Sequence, residues 1–387
     1  MKLIYALPFL LVTLFVNAQT TYLKVNPNIY LPKDSVESKK LTTALNDFLL
    51  AAQKPNEENK FVFEPEKIET FILLDEVNGI EKNWKLKDDF FYKPYLNNVV
   101  LLKDNTYLLQ VAYMGTNEGV PLLRASFEFV AHKTGDSFMF SSTLIKNTKN
   151  WKTEKAGNNV FHYQNTINAD KVKEFGKLTA AFDLKLKVNS KTTDYYCCDN
   201  IIELEKLVGV DYKMDYNSIA ESVWSSSFGD RKLIVFGNNN ASFNTFDLHD
   251  LFHDRLSLVI ARSKVNKPVD EGCAYLYGGS WGLTWKEIFK AFKEQIASNK
   301  TIDWTAVKET PMYFKTNGFN NAADYIVNAL LVEKIEKEKG FAAVWELLNV
   351  GSFEKGNEKY YQTLEKLTGI TKANYNSKIW ELITNEK

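Results

Sequence analysis

A pair of histidines four residues apart constrains the fold of this 387-residue chain more than any other feature. His249 and His253 lie in a run of mixed apolar and charged residues, Thr245–Leu256. Side chains at positions i and i+4 project from one face of a helix, so the pair predicts a helix that presents both imidazoles to the same side. Glu271 follows 18 positions after the second histidine (271 − 253), and a neighbouring helix could bring its carboxylate alongside.

These three side chains form a ligand set that catalytic zinc sites often use, with a fourth position left for water. The chain has only four histidines, so a pair at this spacing is uncommon by chance. A downstream acid adds little to the signal, because acids are frequent. The spacing therefore predicts a metal site, and the alternative is a helix whose histidines are surface or core residues without an ion.

The first residues have the pattern of an export signal. Lys2 gives a basic start, Leu3–Val16 is almost continuously apolar, and Val16-Asn17-Ala18 offers small residues for cleavage. An uncleaved anchor is the alternative, but the apolar run is short for a membrane span and no second such run follows. We expect residues 1–18 to be a signal peptide, and the mature chain to be secreted or periplasmic without a stable membrane anchor.

The charge balance bears on the choice of partner. The 48 basic residues equal the 48 acidic ones, so the formal net charge is zero. Nucleic acid and anionic lipid are bound through a broad basic surface, which this composition does not provide. We therefore expect no nucleic-acid partner, and the sequence leaves the oligomeric state open.

The cysteine content is small and odd, with Cys197, Cys198 and Cys273 alone. An exported chain that depends on disulfides has more cysteines than this. Adjacent cysteines seldom pair with each other because the geometry is strained. Buried free thiols are favoured, and a disulfide from Cys273 to one of the other two is the alternative.

The chain divides into two predicted domains after the signal. Residues 34–53 have apolar positions at helical spacing, and residues 61–144 carry several β-rich runs separated by turn signals. We therefore predict an N-terminal α+β domain over 19–150, in which a helix packs on an antiparallel sheet. The polar stretch 146–159 marks its end.

The second domain is predicted over 158–387. Its first part alternates strands and a helix up to the strand Lys232–Phe236, and Asn244 or Thr245 is expected to cap the histidine helix. After that helix the pattern is mostly helical. The fold class is therefore α+β, with the second domain ending in a bundle of helices.

From Val160 to the C-terminus, the chain resembles the catalytic domain of gluzincin metallopeptidases, especially the peptidase MA-like group. More distantly it resembles the membrane alanyl aminopeptidases. The motif of that family is His-Glu-x-x-His, followed by Glu in a Glu-Gly-x-Ala context. This chain has His249-Asp250-Leu251-Phe252-His253 and Glu271-Gly272-Cys273-Ala274, and helical segments resembling those after the family's zinc site begin at Asp324 and Gly340.

The resemblance implies a zincin-like domain with one zinc ion held by His249, His253 and Glu271. It also implies a peptide or protein as substrate, hydrolysed by water that the metal activates. Tyr325 matches, by its position at the start of a helix, a tyrosine that some relatives use to stabilise the oxyanion. The alternative for Tyr325 is an aromatic residue of the core.

Asp250 departs from the family motif, which has the general base Glu there. The Asp carboxylate is about 1.5 Å shorter in reach in a fixed helix, and a general base must lie within hydrogen-bonding distance of its proton. Three outcomes follow: a slow peptidase, catalysis through an extra water, or a metal site without turnover. We expect weak or absent activity rather than full activity.

Two further readings stay open. One is a catalytically inactive peptidase-like scaffold that acts as an extracytoplasmic binding protein. The other is a purely structural domain with incidental histidines.

Among the neighbouring acids, Asp254 could be a hydrogen-bond partner for a ligating histidine, or only a solvated acid. Asp270 could replace Glu271 as a ligand, although it lies outside the motif.

Overall fold

The computed structural model describes residues 22–386 apart from 190 and 353, so the predicted signal peptide lies outside the described residues. The protein is a mixed α and β structure, which confirms the predicted α+β class. In chain order the strands and helices are β1 Lys24–Val25, α1 Ser35–Ala51, α2 Lys67–Val77, β2 Lys93–Leu101, β3 Thr106–Asn117, β4 Val120–Thr134, β5 Ser137–Ser141, α3 Leu144–Thr148, β6 Lys152–Ala156, β7 Asn159–Tyr163, α4 Ala169–Leu186, β8 Thr192–Cys198, α5 Ile201–Val208, β9 Val210–Lys213, β10 Ser222–Phe228, β11 Arg231–Gly237, α6 Leu248–Leu256, α7 Lys267–Gly278, α8 Trp285–Ile296, α9 Trp304–Glu309, β12 Tyr313–Thr316, β13 Phe319–Ala322, α10 Ala323–Lys339, α11 Phe341–Leu348, α12 Glu358–Thr368 and α13 Tyr375–Asn385.

The chain forms two compact units. The first contains the described residues up to Asn150 together with Asp199–Ser226, and the second contains Trp151–Cys198 and the chain from Ser227 onward. The chain therefore leaves the second unit after β8 and returns to it during β10. The sequence analysis treated 158–387 as one continuous segment and did not foresee this excursion.

The first unit is a sheet with helices packed on it. Its strand order is β1-β2-β3-β4-β5, with β9 beside β4, and the pairs from β2 to β5 are antiparallel. Helix α1 begins at its cap Asp34 and buries an apolar stripe, in which Phe48 lies 5.4 Å, centroid to centroid, from Phe129 of β4. This is the helix that the sequence predicted over 34–53.

A second helix in this unit, α2, lies where the sequence analysis expected only strands. Its apolar residues are buried around the whole circumference rather than along one stripe: Ile68, Phe71, Ile72, Leu73, Leu74 and Val77. A helix buried on all sides loses the 3.6-residue periodicity by which a helix is recognised. The sequence pattern therefore did not indicate this helix.

The second unit contains a sheet of order β10-β11-β8-β7-β6, in which β7, β8 and β11 are parallel. Helix α4 packs on one face, and aromatic rings fill the space between. Phe161 of β7 stacks on Tyr195 of β8 at 4.8 Å, and Phe175 of α4 meets both edge to face. From α6 onward this unit is mostly helical.

Helix α6 is fixed by buried charges on its C-terminal turn. Arg255 is fully buried, and its guanidinium donates to both carboxylate oxygens of Asp183 in α4 at 2.6 and 2.9 Å and to Thr193 Oγ1 in β8 at 3.2 Å. Asp254 forms an ion pair with Lys232 of β11. A buried charge left without its partner costs several kcal/mol, so these contacts hold α6 in one position.

Helix α7 packs between α6 and α10. A Cβ added at Gly272 would lie 2.7 Å from the backbone nitrogen of Ala329 in α10, so only glycine allows this close approach. Cys273 and Ala274 are fully buried on the same helix. The three cysteines are buried free thiols, as the sequence favoured. In the part of the chain that is described, no helix is long and apolar enough to cross a membrane.

Candidate metal centre

The two histidines lie on the first two turns of α6. This helix is capped by Asp247, whose Oδ1 accepts a hydrogen bond from the backbone N–H of His249 at 2.8 Å. The cap is therefore Asp247 rather than Asn244 or Thr245, because an earlier cap would have to be followed by helical residues at 246 and 247. Starting the helix there places both imidazoles on one face, toward α7.

Glu271 projects from α7 toward the imidazoles of His249 and His253. Its Oε2 lies 3.4 Å from Nε2 of His249 and 3.8 Å from Nε2 of His253, and the two Nε2 atoms are 3.1 Å apart. Ligands at about 2.0–2.1 Å from a tetrahedral zinc ion are separated from one another by about 3.3 Å. The three observed separations are close to that value. The predicted ligands therefore form a group that could hold one metal ion.

The outer nitrogen of each imidazole already has a partner. Nδ1 of His249 lies 2.8 Å from the carbonyl oxygen of Gly279, and Nδ1 of His253 lies 2.8 Å from Oδ1 of Asp270. A carbonyl or carboxylate at Nδ1 keeps the proton on that nitrogen and leaves the Nε2 lone pair for an ion. The partner of His253 is thus Asp270, whereas Asp254 pairs with Lys232.

Two glycines at the end of α7 allow the contact to His249. A Cβ added at Gly278 would lie 2.3 Å from the backbone nitrogen of His249. Gly279 has a positive φ of 77°, and a Cβ there would lie 1.9 Å from the carbonyl oxygen of Leu283. Both positions therefore require glycine. The Gly-Gly pair was the sequence signal for this contact, and the sequence analysis missed it.

The electrostatics of the ion-free group resemble an internal ion pair. Burial opposes the charge on Glu271, but hydrogen bonds from His249 and His253 lower its pKa to about 2. Burial likewise opposes the charge on His253, while hydrogen bonds to Asp270 and Glu271 raise its pKa to about 9. Without a metal, the proton on His253 therefore supplies the positive charge that a bound cation would otherwise supply.

Tyr325 lies near this group but does not belong to it directly. Its ring centroid is 6.1 Å from that of Tyr275, whose ring in turn lies 5.3 Å from His249. Burial, and then the negative charge of Glu271, raise the pKa of Tyr325 to about 12. Its hydroxyl therefore stays protonated at neutral pH and can act as a hydrogen-bond donor.

Asp250 follows His249 directly on α6 and is exposed as a whole residue. Partial burial of its carboxyl and repulsion from Asp247 raise its pKa above the usual value. Among the described residues, its carboxylate has no hydrogen bond or ion pair. The carboxylate is therefore free to take a proton from a water molecule, but no hydrogen bond from the described residues orients it.

No family model, no curated protein and no solved structure matches this chain. The likeness to gluzincin peptidases therefore stays a prediction from the motif residues. The geometry shows a His-His-Glu group whose donor atoms lie within 4.8 Å of one another.

Proposed function

We propose that this protein is an exported zinc-dependent peptidase of gluzincin type whose turnover is limited by Asp250. The observation that carries the proposal is the convergence of His249, His253 and Glu271 at separations close to those of a tetrahedral zinc site. Two imidazoles and one carboxylate favour zinc over the harder ions calcium and magnesium, which prefer all-oxygen sites.

A zinc ion held there supplies Lewis acidity, which lowers the pKa of a bound water to about 7 and polarises a carbonyl. The protein residues supply the rest. Gly279 and Asp270 hold the imidazoles in orientation. Tyr325 donates from its protonated hydroxyl to the oxygen on which negative charge develops. Such a donor contributes about 3 kcal/mol to a tetrahedral transition state when it is well placed.

Asp250 takes the position of the general base. Its shorter side chain and its lack of an orienting partner among the residues that the structure describes both favour slow proton transfer, because a misplacement of about 1 Å can lower a rate by about 100-fold. The short side chain of Asp250 also favours a second candidate function. In that reading the protein keeps the zinc site as part of a binding surface for peptides and has given up hydrolysis.

The first experiment measures metal in the purified mature protein. We expect about one zinc per chain, and a His249→Ala variant purified in parallel that carries none. Export is checked in the same preparation by the mass of the mature chain, which should lack residues 1–18. Absence of metal from both proteins would remove the chemical part of the proposal.

The second experiment decides between the two functions. Asp250→Glu restores the longer carboxylate, and we expect it to raise the hydrolysis of a casein-derived peptide mixture by about 100-fold over the natural chain. Asp250→Asn is the matched control, since it keeps the size and removes the base. Slow hydrolysis by the natural chain that Asn abolishes indicates a slow peptidase, whereas hydrolysis in the Glu variant alone indicates a binding protein. No hydrolysis in any zinc-loaded variant would rule out the peptidase proposal.

A further inference from the structure

Tyr275 of α7 lies between two groups of the proposed site, although the sequence analysis did not single it out. It follows Glu271 by four residues, so both side chains project from one face of the helix. Its ring centroid lies 5.3 Å from that of His249 at 71° and 6.1 Å from that of Tyr325 at 70°. These are edge-to-face contacts at ordinary packing distances, so one buried ring contacts both a proposed metal ligand and the proposed oxyanion donor.

The imidazole of His249 is restrained at two places besides its Nε2. Its Nδ1 lies 2.8 Å from the carbonyl oxygen of Gly279. The ring of Tyr275 packs against the imidazole edge to face. A hydrogen bond at one atom still permits the imidazole to tilt, so the packed ring narrows the directions in which Nε2 can point.

The hydroxyl of Tyr275 is already used within the protein. It donates to Oδ1 of Asn321 at 3.0 Å, and Ser280 is a second hydrogen-bond partner. Asn321 is 1% exposed, and its Nδ2 donates to the carbonyl of Phe319 at 3.2 Å, so both ends of its amide are fixed. A hydroxyl engaged in this way acts on the site through its partners.

Asn321 belongs to the strand that leads directly into α10. Strand β13 ends at Ala322 and α10 begins at Ala323, so no loop separates Asn321 from Tyr325. The N–H of Ala323 donates to the carbonyl of Met312 at 2.8 Å, which fixes the junction. The bond from Tyr275 to Asn321 therefore restrains the first turn of α10, on which Tyr325 lies.

We propose that Tyr275 is a positioning residue that holds His249 and Tyr325 in fixed relative positions. Its ring sets the orientation of the metal ligand, and its hydroxyl sets the start of the helix that carries the oxyanion donor. This inference rests on the proposed function, because hydrolysis requires the ion and the donor at matching positions. One side chain of α7 is in contact with the residues that supply both.

The test measures two affinities of the full mature protein. Zinc affinity is measured by competition with a chromogenic chelator. The zinc-loaded protein is then titrated with an alanine peptide in which a phosphinate replaces one peptide bond, because this tetrahedral group mimics the transition state and reports the placement of Tyr325. Tyr275→Leu removes the ring and should weaken zinc binding about tenfold. Tyr275→Phe keeps the ring and should bind zinc as the natural protein does.

A double-mutant cycle separates positioning from general stability. We expect Tyr325→Phe to weaken phosphinate binding about 100-fold and Tyr275→Phe about tenfold. Because Tyr275 acts through Tyr325, the double variant should lose about 100-fold rather than about 1,000-fold. Tyr360→Phe is the matched control, since Tyr360 is also buried and its hydroxyl donates to Oδ1 of Asn328 in α10 at 2.8 Å. It should change neither affinity.

Four results overturn the inference: losses that multiply in the double variant, unchanged phosphinate affinity in Tyr275→Phe, unchanged zinc affinity in Tyr275→Leu, or equal losses in the control. If the natural protein fails to bind zinc or the phosphinate, the peptidase proposal fails, and hydrogen exchange in the ion-free protein decides the positioning role. Residues 321–326 should then exchange faster in Tyr275→Phe than in Tyr360→Phe. Equal exchange in Tyr275→Phe and the natural protein would also reject the role of Tyr275.

Discussion

Among single residues, His253 must differ most in protonation between the ion-free and the metal-bound protein. As a metal ligand its Nε2 must be free of a proton, yet in the ion-free protein Asp270 and Glu271 raise its pKa to about 9. At pH 7 the ion-free side chain is therefore charged, and an ion can bind only after the proton leaves. The acids that orient the ligand also set the pH dependence of metal binding.

We predict that zinc binding at pH 7 releases about one proton from this site, and that affinity rises with pH until about 9. Calorimetry in two buffers of different ionisation enthalpy measures the released proton directly. Asp270→Asn should lower the pKa of His253 and reduce the release, and it should weaken zinc binding by about 10- to 100-fold. A proton release that is unchanged in this variant would contradict the assigned role of Asp270.

The same groups shape the stability of the ion-free protein. The folded pKa of His253 is raised from 6.5 to about 9, so its contribution is complete below pH 6.5 and is lost as pH rises through 9. The folded pKa of Glu271 is lowered from 4.5 to about 2, so its contribution is complete above pH 4.5 and is lost as pH falls through 2. Together the two groups stabilise the ion-free fold most between pH 4.5 and pH 6.5.

Sequence reasoning succeeded in placing side chains whose positions follow from spacing along one helix. His249 and His253 needed only the four-residue interval. It did not place Asp270, because the partner of an imidazole depends on how α7 rotates against α6, which no local pattern encodes. Asp254 directly follows His253 in the chain, but the helix turns it toward Lys232.

At the scale of elements, helix α7 determines whether the site exists. It brings Glu271 and Asp270 to α6, and its terminal glycines let the two backbones meet. Helices with one buried stripe, such as α1, were predictable from periodicity. Helix α2 was not, because burial on all sides removes the pattern.

We predict that Gly278→Ala separates α7 from α6. The added Cβ would lie 2.3 Å from the backbone nitrogen of His249, so one helix must shift, at a cost of about 1–3 kcal/mol in the free energy of unfolding. Zinc affinity, measured by competition with a chromogenic chelator, should fall at least tenfold, since the ligand atoms move apart.

Gly176→Ala is the matched control for this variant. Its Cβ would meet Ala156 at 2.6 Å, where α4 crosses β6, which is also a close contact between elements of the second unit. It should lower the melting temperature by a similar amount and leave zinc affinity unchanged. Equal zinc affinity in both variants would show that the contact at Gly278 does not position the ligands.

At the scale of the whole molecule, the ligands lie in one of two units, and the chain interleaves them through Asp199–Ser226. The sequence pattern could not foresee this excursion. Strand β9 joins the sheet of the first unit by its pairing with β4, a long-range contact without a local signature. Because all three proposed ligands lie in the second unit, we expect a bound ion to stabilise mainly that unit.

We predict that zinc stabilises the second unit and leaves the first unchanged in local stability. A ligand that binds only the folded state contributes about 2.7 kcal/mol at one hundred times its dissociation constant. The gain should slow amide hydrogen exchange in α6 and α7, which carry the proposed ligands, and in α10, which packs against α7. Strands β2 to β5 of the first unit should exchange at the same rate with and without zinc.

His249→Ala in the presence of zinc is the control for this measurement, and it should exchange as the ion-free protein does. Protection that spreads equally through both units would mean that they unfold as one cooperative body. Protection absent from α7 would mean that Glu271 is not a ligand, even if zinc binds through the histidines. The pattern of protected helices therefore tests the ligand set independently of any catalytic activity.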